Sequence, residues 1–189
     1  MIPTRWADWS GDAEKAYQVL SKRAKKIVVM GLSMGGALTL WMAAQHPEAL
    51  GIVCINPATQ PQPSEVIDML QGMIDGGTVT MDGIGSDIAD PNVHESAYSG
   101  TPLAAMKSFL SEGLAPLAPR YPSIKMPMLL YTSVQDHVVQ PSDSDAVAAT
   151  YGGPVERVML ERSYHVATQD YDKDIIFAGA VAFVHRVTT

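Results

Sequence analysis

One serine of the chain stands in a context that could make it a nucleophile. Residues 31–36 read Gly-Leu-Ser-Met-Gly-Gly, and their first five fit the pattern G-x-S-x-G. Ser33 leaves a short β-branched run at 27–30 and enters a helical stretch that reaches about Gln45. A sharp strand-to-helix turn exposes a serine hydroxyl above a sheet and sets a helix N-terminus beside a developing oxyanion. The flanking glycines would let strand and helix approach closely.

A phosphate-binding turn is the alternative interpretation of this glycine-rich segment. A dinucleotide site would require G-x-G-x-x-G, and a phosphate loop would require Gly-Lys-Ser or Gly-Lys-Thr. Neither pattern is present in residues 31–36. The segment therefore favours a nucleophilic serine.

A nucleophilic serine needs a base, and His165 is the best placed of the five histidines. It follows a predicted strand at 155–160 and precedes the last predicted helix, so it lies at the carboxyl end of the sheet, where ligands bind. The other four have simpler interpretations. His46 is expected at the surface at a helix end, and His94 lies in a long insert. His137 directly follows an acid, and His185 lies inside the final helix.

The acid that would orient this base is Asp136, a few residues after a predicted strand at 127–132. Ser33, Asp136 and His165 then occur in the order nucleophile, acid, base, each just past a strand. Three other acids compete for the role. Asp143 and Asp145 lie at a helix start, where capping explains them. Asp170 follows the histidine, which the chain order disfavours.

Strands and helices alternate along most of the chain, which predicts an α/β fold with a parallel sheet. A helix is predicted over 8–24, strands over 27–30, 51–56, 127–132 and 155–160, and helices over 142–151 and 174–187. Residues 57–125 break the alternation, with weak helical patterns at 65–74 and 102–117. We expect a core formed by 1–56 and 126–189, and an insert at 57–125 that is either a lid over a pocket or an ordinary pair of covering helices.

Composition excludes several classes of protein. The chain has 189 residues, 47% of them apolar, and a net charge of −7, which argues against disorder and against a nucleic-acid binder. The one cysteine, Cys54, lies in an apolar run and is expected to be a buried hydrophobe, and no Cys/His cluster has zinc spacing. The longest apolar run, 175–184, is too short to cross a bilayer, so no stable membrane insertion is expected. The N-terminus has no signal-peptide pattern, and a cytoplasmic location is expected.

The chain resembles α/β-hydrolases of the bacterial carboxylesterase and monoacylglycerol lipase type. The segments that carry the resemblance are Thr4-Arg5-Trp6-Ala7-Asp8-Trp9, the turn at 31–36, Ser133-Val134-Gln135-Asp136-His137-Val138-Val139 and Ser163-Tyr164-His165-Val166-Ala167-Thr168. It implies Ser33 as nucleophile, Asp136 as acid, His165 as base and the Met34 N–H as an oxyanion donor. It also implies hydrolysis of short- to medium-chain esters or monoacylglycerols without a cofactor.

The resemblance further implies a small helical lid over an acyl pocket. The apolar residues of the two insert patterns could line it, although core packing is equally open for each (Met69, Leu70, Met73, Met106 and Phe109). Family members start with more strands, and an early His-Gly loop supplies a second oxyanion donor. Nothing before Ser33 matches that loop, so we expect an incomplete α/β-hydrolase fold.

An incomplete sheet would leave the strand at 27–30 as an unpaired apolar edge. Such an edge predicts either a homo-oligomer paired through it or an N-terminally shortened gene product. The expected activity is that of a serine carboxylic-ester hydrolase that acts through an acyl-enzyme. The alternative is a truncated remnant that folds as an oligomer with little turnover. Acyl transfer and perhydrolysis would use the same triad, whereas a dehalogenase would need Asp at position 33.

Overall fold

The computed structural model describes all of residues 1–189. In chain order its elements are α1 (Trp6–Ser21), β1 (Val28–Leu32), α2 (Met34–Gln45), β2 (Gly51–Ile55), α3 (Ser64–Asp75), β3 (Thr80–Asp82), β4 (Gly100–Pro102), α4 (Leu103–Ser108), α5 (Ala115–Leu117), β5 (Met128–Ser133), α6 (Pro141–Thr150), β6 (Val155–Leu160) and α7 (Lys173–Thr188). A π-helical segment, Phe109–Leu114, joins α4 to α5, and 3-10 turns occupy Ala118–Ser123 and Ala167–Gln169. No helix combines the length and the apolar character needed to cross a bilayer.

The centre of the fold is a parallel four-stranded sheet in the order β1-β2-β5-β6. All residues of β2 and β5 are buried, as expected for strands covered on both faces. Side chains of β2 alternate between two cores. Ile52 and Cys54 join α1, α2 and α6 on one face, whereas Val53 and Ile55 join α7 on the other. The predicted α/β class and the four predicted strands are therefore confirmed.

The two edges of this sheet differ in character. The strand β6 carries Glu156 and Arg157, which pair with charges on α7 and α6, and charged residues discourage further strand pairing. The strand β1 pairs only with β2 and carries no charge. Beside it runs a groove whose nine lining residues, from α1, α2 and residues 27–30, are all hydrophobic. The expected unpaired apolar edge is thus present.

The insert, residues 57–125, contains more structure than its sequence indicates. The strands β3 and β4 form a small antiparallel pair that has no clear pattern in the sequence. The helix predicted over 102–117 is broken into α4, the π-helical segment and α5. Gly113 lies against Trp6, where a Cβ would come within 2.7 Å of the indole, and Pro116 lacks the N–H that a continuous helix requires. Trp6 also donates its backbone N–H to Ser108, which anchors the insert to α1.

The place of His46 at a helix end predicts a free surface residue. The structure instead shows a half-buried side chain with several partners. Its ring stacks on Tyr17, 3.8 Å between centroids, and lies between Glu14 (2.7 Å) and Glu48 (2.9 Å). Burial acts to lower the pKa of His46, but the hydrogen bonds to both carboxylates outweigh it and raise the pKa above its ordinary value. The hydrogen bond to His46 lowers the pKa of Glu14. For Glu48, a bond from its own backbone N–H and then the bond to His46 lower the pKa. The cluster fastens α1 to the end of α2.

We predict a pH-dependent contribution of this cluster to stability. Because folding raises the pKa of His46, its contribution to stability is complete below its unfolded pKa of 6.5 and is lost as the pH rises through its folded pKa. The lowered pKa values mean that the Glu14 and Glu48 contributions are present above the unfolded value of 4.5 and are lost as the pH falls through the folded values. His46→Gln should therefore lower the free energy of unfolding most between these limits. We expect a loss of about 1 kcal/mol, since solvent screens Glu48. Urea unfolding from pH 4 to 9 checks this, and a pH-independent difference would contradict it.

Candidate active site

Ser33 sits in a strained turn between β1 and α2. Its backbone φ of 57° and ψ of −120° place a non-glycine residue in a conformation that side chains disfavour. The turn is tight on both sides. A Cβ at Gly31 would lie 2.2 Å from the Gly35 carbonyl oxygen, and one at Gly36 would lie 2.6 Å from Pro57. Gly35 itself has open space, so the expectation that all three glycines serve close packing is wrong for Gly35.

Asp136 and His165 meet as a buried pair. The distance from His165 Nδ1 to Asp136 Oδ2 is 2.7 Å, and the two residues are 5% and 7% exposed. The other carboxylate oxygen accepts the backbone N–H groups of Val138 and Val139, both at 2.8 Å. These donors fix the orientation of the carboxylate toward the imidazole. The carboxylate holds the proton of the imidazole on Nδ1 and leaves Nε2 as the basic nitrogen.

Ser33 is not hydrogen-bonded to this pair. The structure brings Asp136 and His165 into contact, but no hydrogen bond joins the Ser33 hydroxyl to the His165 ring in it. The serine follows β1, whereas the acid and the base follow β5 and β6, which lie beyond β2 in the sheet. The loop that carries His165 must therefore reach back across the sheet, and catalytic hydrogen bonds of this type often tighten only when substrate binds.

Asn56 holds that loop over the sheet, and sequence reasoning missed it. It directly follows β2, is 2% exposed and has a positive φ of 43°. Its Nδ2 donates to the His165 carbonyl (2.8 Å) and to Ser133 Oγ (2.9 Å), while its Oδ1 accepts the Ser133 N–H (2.7 Å). One amide thus joins the ends of β2 and β5 to the backbone of the base. An asparagine that ends an apolar strand was the one signal that could have identified it.

The rival acids have structural partners. Asp170, 1% exposed, accepts backbone N–H groups from Ala89, Asp90, Tyr164 and Tyr171, so it holds the loop of the base rather than its ring. Asp145 pairs with Arg157 at 2.6 Å. These contacts leave Asp136 as the carboxylate that faces the imidazole.

Asp143 does not cap its own helix, contrary to expectation. No side chain caps the start of α6. Its Oδ1 accepts the backbone N–H groups of Thr59 (2.7 Å) and Gln60 (3.0 Å), which belong to the start of the insert. Those donors are far away in sequence, so a local capping rule could not predict them.

The remaining candidates fall outside the pair. His94 and His185 are exposed, and His137 directs its ring at Asp87 of the insert, 2.8 Å from Nδ1 to Oδ1. Cys54 is fully buried, and burial raises the pKa of its thiol, so it is the inert hydrophobe that was expected.

The five apolar candidates of the insert differ in exposure. Leu70 is buried at 3%, whereas Met69 on the same helix is 57% exposed. Met73, Met106 and Phe109 are half-buried, and the Phe109 ring lies 5.9 Å from that of Trp6. Packing within the fold accounts for the burial of Leu70. Met73 and Met106, in contrast, keep part of their surface exposed.

Met34 is the first residue of α2, directly after the serine. Its backbone N–H has no acceptor within the helix, because the first N–H groups of an α-helix are free, and the helix dipole places positive potential there. A strained serine at such a terminus, with a histidine–carboxylate pair at the same edge of a parallel sheet, is the arrangement of an α/β-hydrolase.

Comparisons with known proteins agree with this class. No family model matches the chain. A thermostable monoacylglycerol lipase of Bacillus sp. (strain H-257) is 37% identical over 186 residues, which cover 97% of this chain and 72% of the lipase. A structure reported with the metagenome-derived lipolytic enzymes LipS and LipT superposes with a TM-score of 0.90 at 36% identity, covering 98% of this chain and 75% of that one. A monoacylglycerol lipase from Paleococcus ferrophilus, at 16% identity, shares the fold with a TM-score of 0.74, covering 97% of this chain and 75% of that one.

The chain is therefore an α/β-hydrolase of the esterase and lipase type. Within that class it belongs to the family of the Bacillus monoacylglycerol lipase, as 37% identity across nearly the whole chain shows.

We predict that the turn around Ser33 tolerates a methyl group at Gly35 but not at Gly31. Gly31→Ala forces a Cβ onto backbone atoms and should cost about 3 kcal/mol of unfolding free energy. Gly35→Ala, the matched control, meets no atom within 4 Å and should stay within about 1 kcal/mol of wild type. Urea unfolding of both variants measures the difference, and equal losses would contradict the close approach at Gly31.

Proposed function

We propose that this hydrolase cleaves carboxylic esters through an acyl-enzyme on Ser33. The observation that carries the proposal is the buried Asp136–His165 hydrogen bond at the same sheet edge as a strained serine. In the first half-reaction, Ser33 Oγ attacks the ester carbonyl carbon while His165 Nε2 accepts the hydroxyl proton. His165 then gives that proton to the leaving alcohol as the C–O bond breaks.

The second half-reaction releases the acid. A water molecule attacks the acyl-enzyme carbonyl while His165 Nε2 accepts its proton, and the same nitrogen returns a proton to Ser33 Oγ as the acyl group leaves. Asp136 takes no proton in either half-reaction. Its oxygens accept Nδ1–H of the base and the N–H groups of Val138 and Val139. Its role is to fix the tautomer of the imidazole and to stabilise the imidazolium.

The oxyanion of each tetrahedral intermediate would be held by the Met34 N–H at the start of α2. One donor of this kind is worth about 10²–10³ in turnover.

For the substrate, we propose a short- to medium-chain ester or a monoacylglycerol, in keeping with the relatives named as monoacylglycerol lipases. The insert 57–125 would act as a small lid, with α3 and α4 beside each other. Among its apolar candidates, Met73 and Met106 are half-buried and so keep surface that an acyl chain would contact. The expected cytoplasmic location stays a prediction.

We predict that the chain hydrolyses p-nitrophenyl esters of short to medium acyl length and reacts with a fluorophosphonate probe. Ser33→Ala should abolish labelling and lower ester turnover by at least about 10³-fold, because it removes the nucleophile. Ser123→Ala is the matched control, since that exposed hydroxyl contacts only the Arg120 carbonyl. Labelling, release of p-nitrophenol and thermal unfolding are measured on all three proteins.

The outcomes separate the two functions that the sequence leaves open. Labelling of wild type and Ser123→Ala, with none of Ser33→Ala, supports the enzyme. Equal labelling of wild type and Ser33→Ala overturns it. Labelling without measurable turnover would identify the weakly active remnant instead. Perhydrolysis or acyl transfer would appear as product formed with peroxide or an alcohol as acceptor in place of water.

We further propose that β1 pairs with β1 of a second copy. Peptide groups alternate along a strand, and the Ile27 carbonyl and the Ser33 N–H both bond toward β2. The backbone groups of Val28, Met30 and Leu32 therefore point outward, where they have no partner. An antiparallel copy centred on Met30 would satisfy all of them, and the uncharged groove beside β1 would become buried.

We predict a dimer in solution that Met30→Pro disrupts. This change removes an outward N–H that the single chain does not use, as edge strands tolerate. Met159→Pro is the matched control, because its N–H points outward at the opposite, charged edge. Light scattering with size exclusion should give a dimer for wild type and the control and a folded monomer for Met30→Pro. A monomeric wild type, or a dimer that survives Met30→Pro, would contradict the pairing.

A further inference from the structure

Asp87, in the insert, contacts both loops that carry the acid and the base. Its Oδ2 accepts the backbone N–H groups of His165 (3.0 Å) and His137 (3.2 Å), and its Oδ1 lies 2.8 Å from His137 Nδ1. Its own carbonyl accepts the Val166 N–H at 3.0 Å. His137 is the next residue after Asp136, so a single carboxylate touches the neighbour of the acid and the base itself.

These contacts close a ring of interactions. Asp87 bonds to His137, His137 is joined by a peptide bond to Asp136, Asp136 bonds to His165, and His165 bonds back to Asp87. The His137 ring also packs edge-on against Tyr164, 4.5 Å between centroids, on the loop of the base. Because each loop is held at two points, neither can shift without breaking a bond to the insert.

The surroundings of Asp87 favour the charged form of its carboxylate. Burial acts to raise its pKa, but hydrogen bonds from the His137 ring and from the backbone N–H groups of His165 and His137 outweigh it and lower the pKa. The carboxylate is 14% exposed. A charged acceptor in so shielded a place binds its N–H donors more strongly than a neutral one.

The same part of the insert is fastened a second time. The Asp170 carboxylate accepts the N–H groups of Ala89 and Asp90 on the insert and of Tyr164 on the loop of the base. The segment 87–90 therefore exchanges hydrogen bonds with that loop in both directions. The side-chain hydrogen bonds of Asp87 go to the loops of the acid and the base, and none goes to Ser33, so its contribution to the reaction would pass through those loops.

We propose that Asp87 is a positioning residue that sets the geometry of the Asp136–His165 pair from the insert, an inference that rests on the ester-hydrolase function proposed above. The insert thereby supports proton transfer as well as covering the site. Misplacement of a catalytic group by about 1 Å can cost about 10²-fold in rate. Loss of Asp87 should consequently reduce kcat and the rate of fluorophosphonate labelling, while KM changes little.

The test compares three variants of the full chain. Asp87→Ala removes every acceptor, and we expect kcat to fall about 100-fold with KM within about twofold of wild type. Asp87→Asn keeps one oxygen that can accept the two backbone N–H groups, and we expect it to recover most of the activity. Asp90→Asn is the matched control: its carboxylate bonds only to Asn92, so activity should be unchanged. Thermal unfolding is recorded for each.

A spectroscopic readout separates failure of this proposal from failure of the proposed function. The His165 Nδ1 proton, shared with Asp136, should give a low-field proton NMR signal in wild type, identified by its loss in Asp136→Ala. We expect the signal to broaden or vanish in Asp87→Ala and to persist in Asp90→Asn. If wild type neither labels nor turns over, the function fails, and this signal alone then decides the role of Asp87.

Two results would overturn the positioning role. One is a folded Asp87→Ala with wild-type kcat and an unchanged signal. The other is a rise in KM with kcat unchanged, which would make Asp87 a substrate-binding residue. Should Asp87→Ala not fold, Asp87→Asn decides: because it keeps an accepting oxygen, a folded Asp87→Asn that loses the signal and about 100-fold in kcat would contradict the role of that oxygen.

Discussion

The site depends on one buried hydrogen bond, the 2.7 Å contact between His165 Nδ1 and Asp136 Oδ2. The two residues can meet because β5 and β6 are neighbours, so that their loops leave the sheet side by side. Ser33 lies farther along the same edge, at the end of β1, which β2 separates from β5. The loop of the base must therefore be bent toward the serine, and most polar contacts near the site maintain that bend.

That bend is held by carboxylates that accept backbone N–H groups. Asp172 accepts those of Arg162 and Ser163, Asp170 accepts that of Tyr164, and Asp87 accepts that of His165. A buried charge is costly unless several donors compensate it, and no buried side-chain polar atom in the chain is left without a partner. The loop is consequently anchored by several hydrogen bonds next to the residue that carries the imidazole. The edge strand β1, in contrast, keeps backbone groups that no part of the chain satisfies.

The sequence revealed elements with strong local signals. Residues 155–160 are predicted as a strand with the bounds that the structure shows, because the strand pattern lies within contiguous residues. The turn at Ser33 was predictable for the same reason, since strand, glycines and helix are contiguous. The pairing of Asp136 with His165 followed from their order after strands. The strand and the turn need only neighbours in the chain to be recognised, whereas the pairing was inferred from the order of its residues along the whole chain.

The supporting contacts could not be predicted, because they join distant residues with no periodic pattern. Asp87 and His165 are 78 residues apart, and Asp143 and Gln60 are 83 apart. Asn56 reads as the last residue of a strand, yet its amide links two strand ends to the base.

Rapid-quench peptide mass spectrometry of the chain mixed with a p-nitrophenyl ester tests the central claim most directly. The mechanism predicts a transient acyl mass on the peptide that contains Ser33. Ester hydrolysis with no acylated peptide, or with the acyl group on another residue, would contradict it.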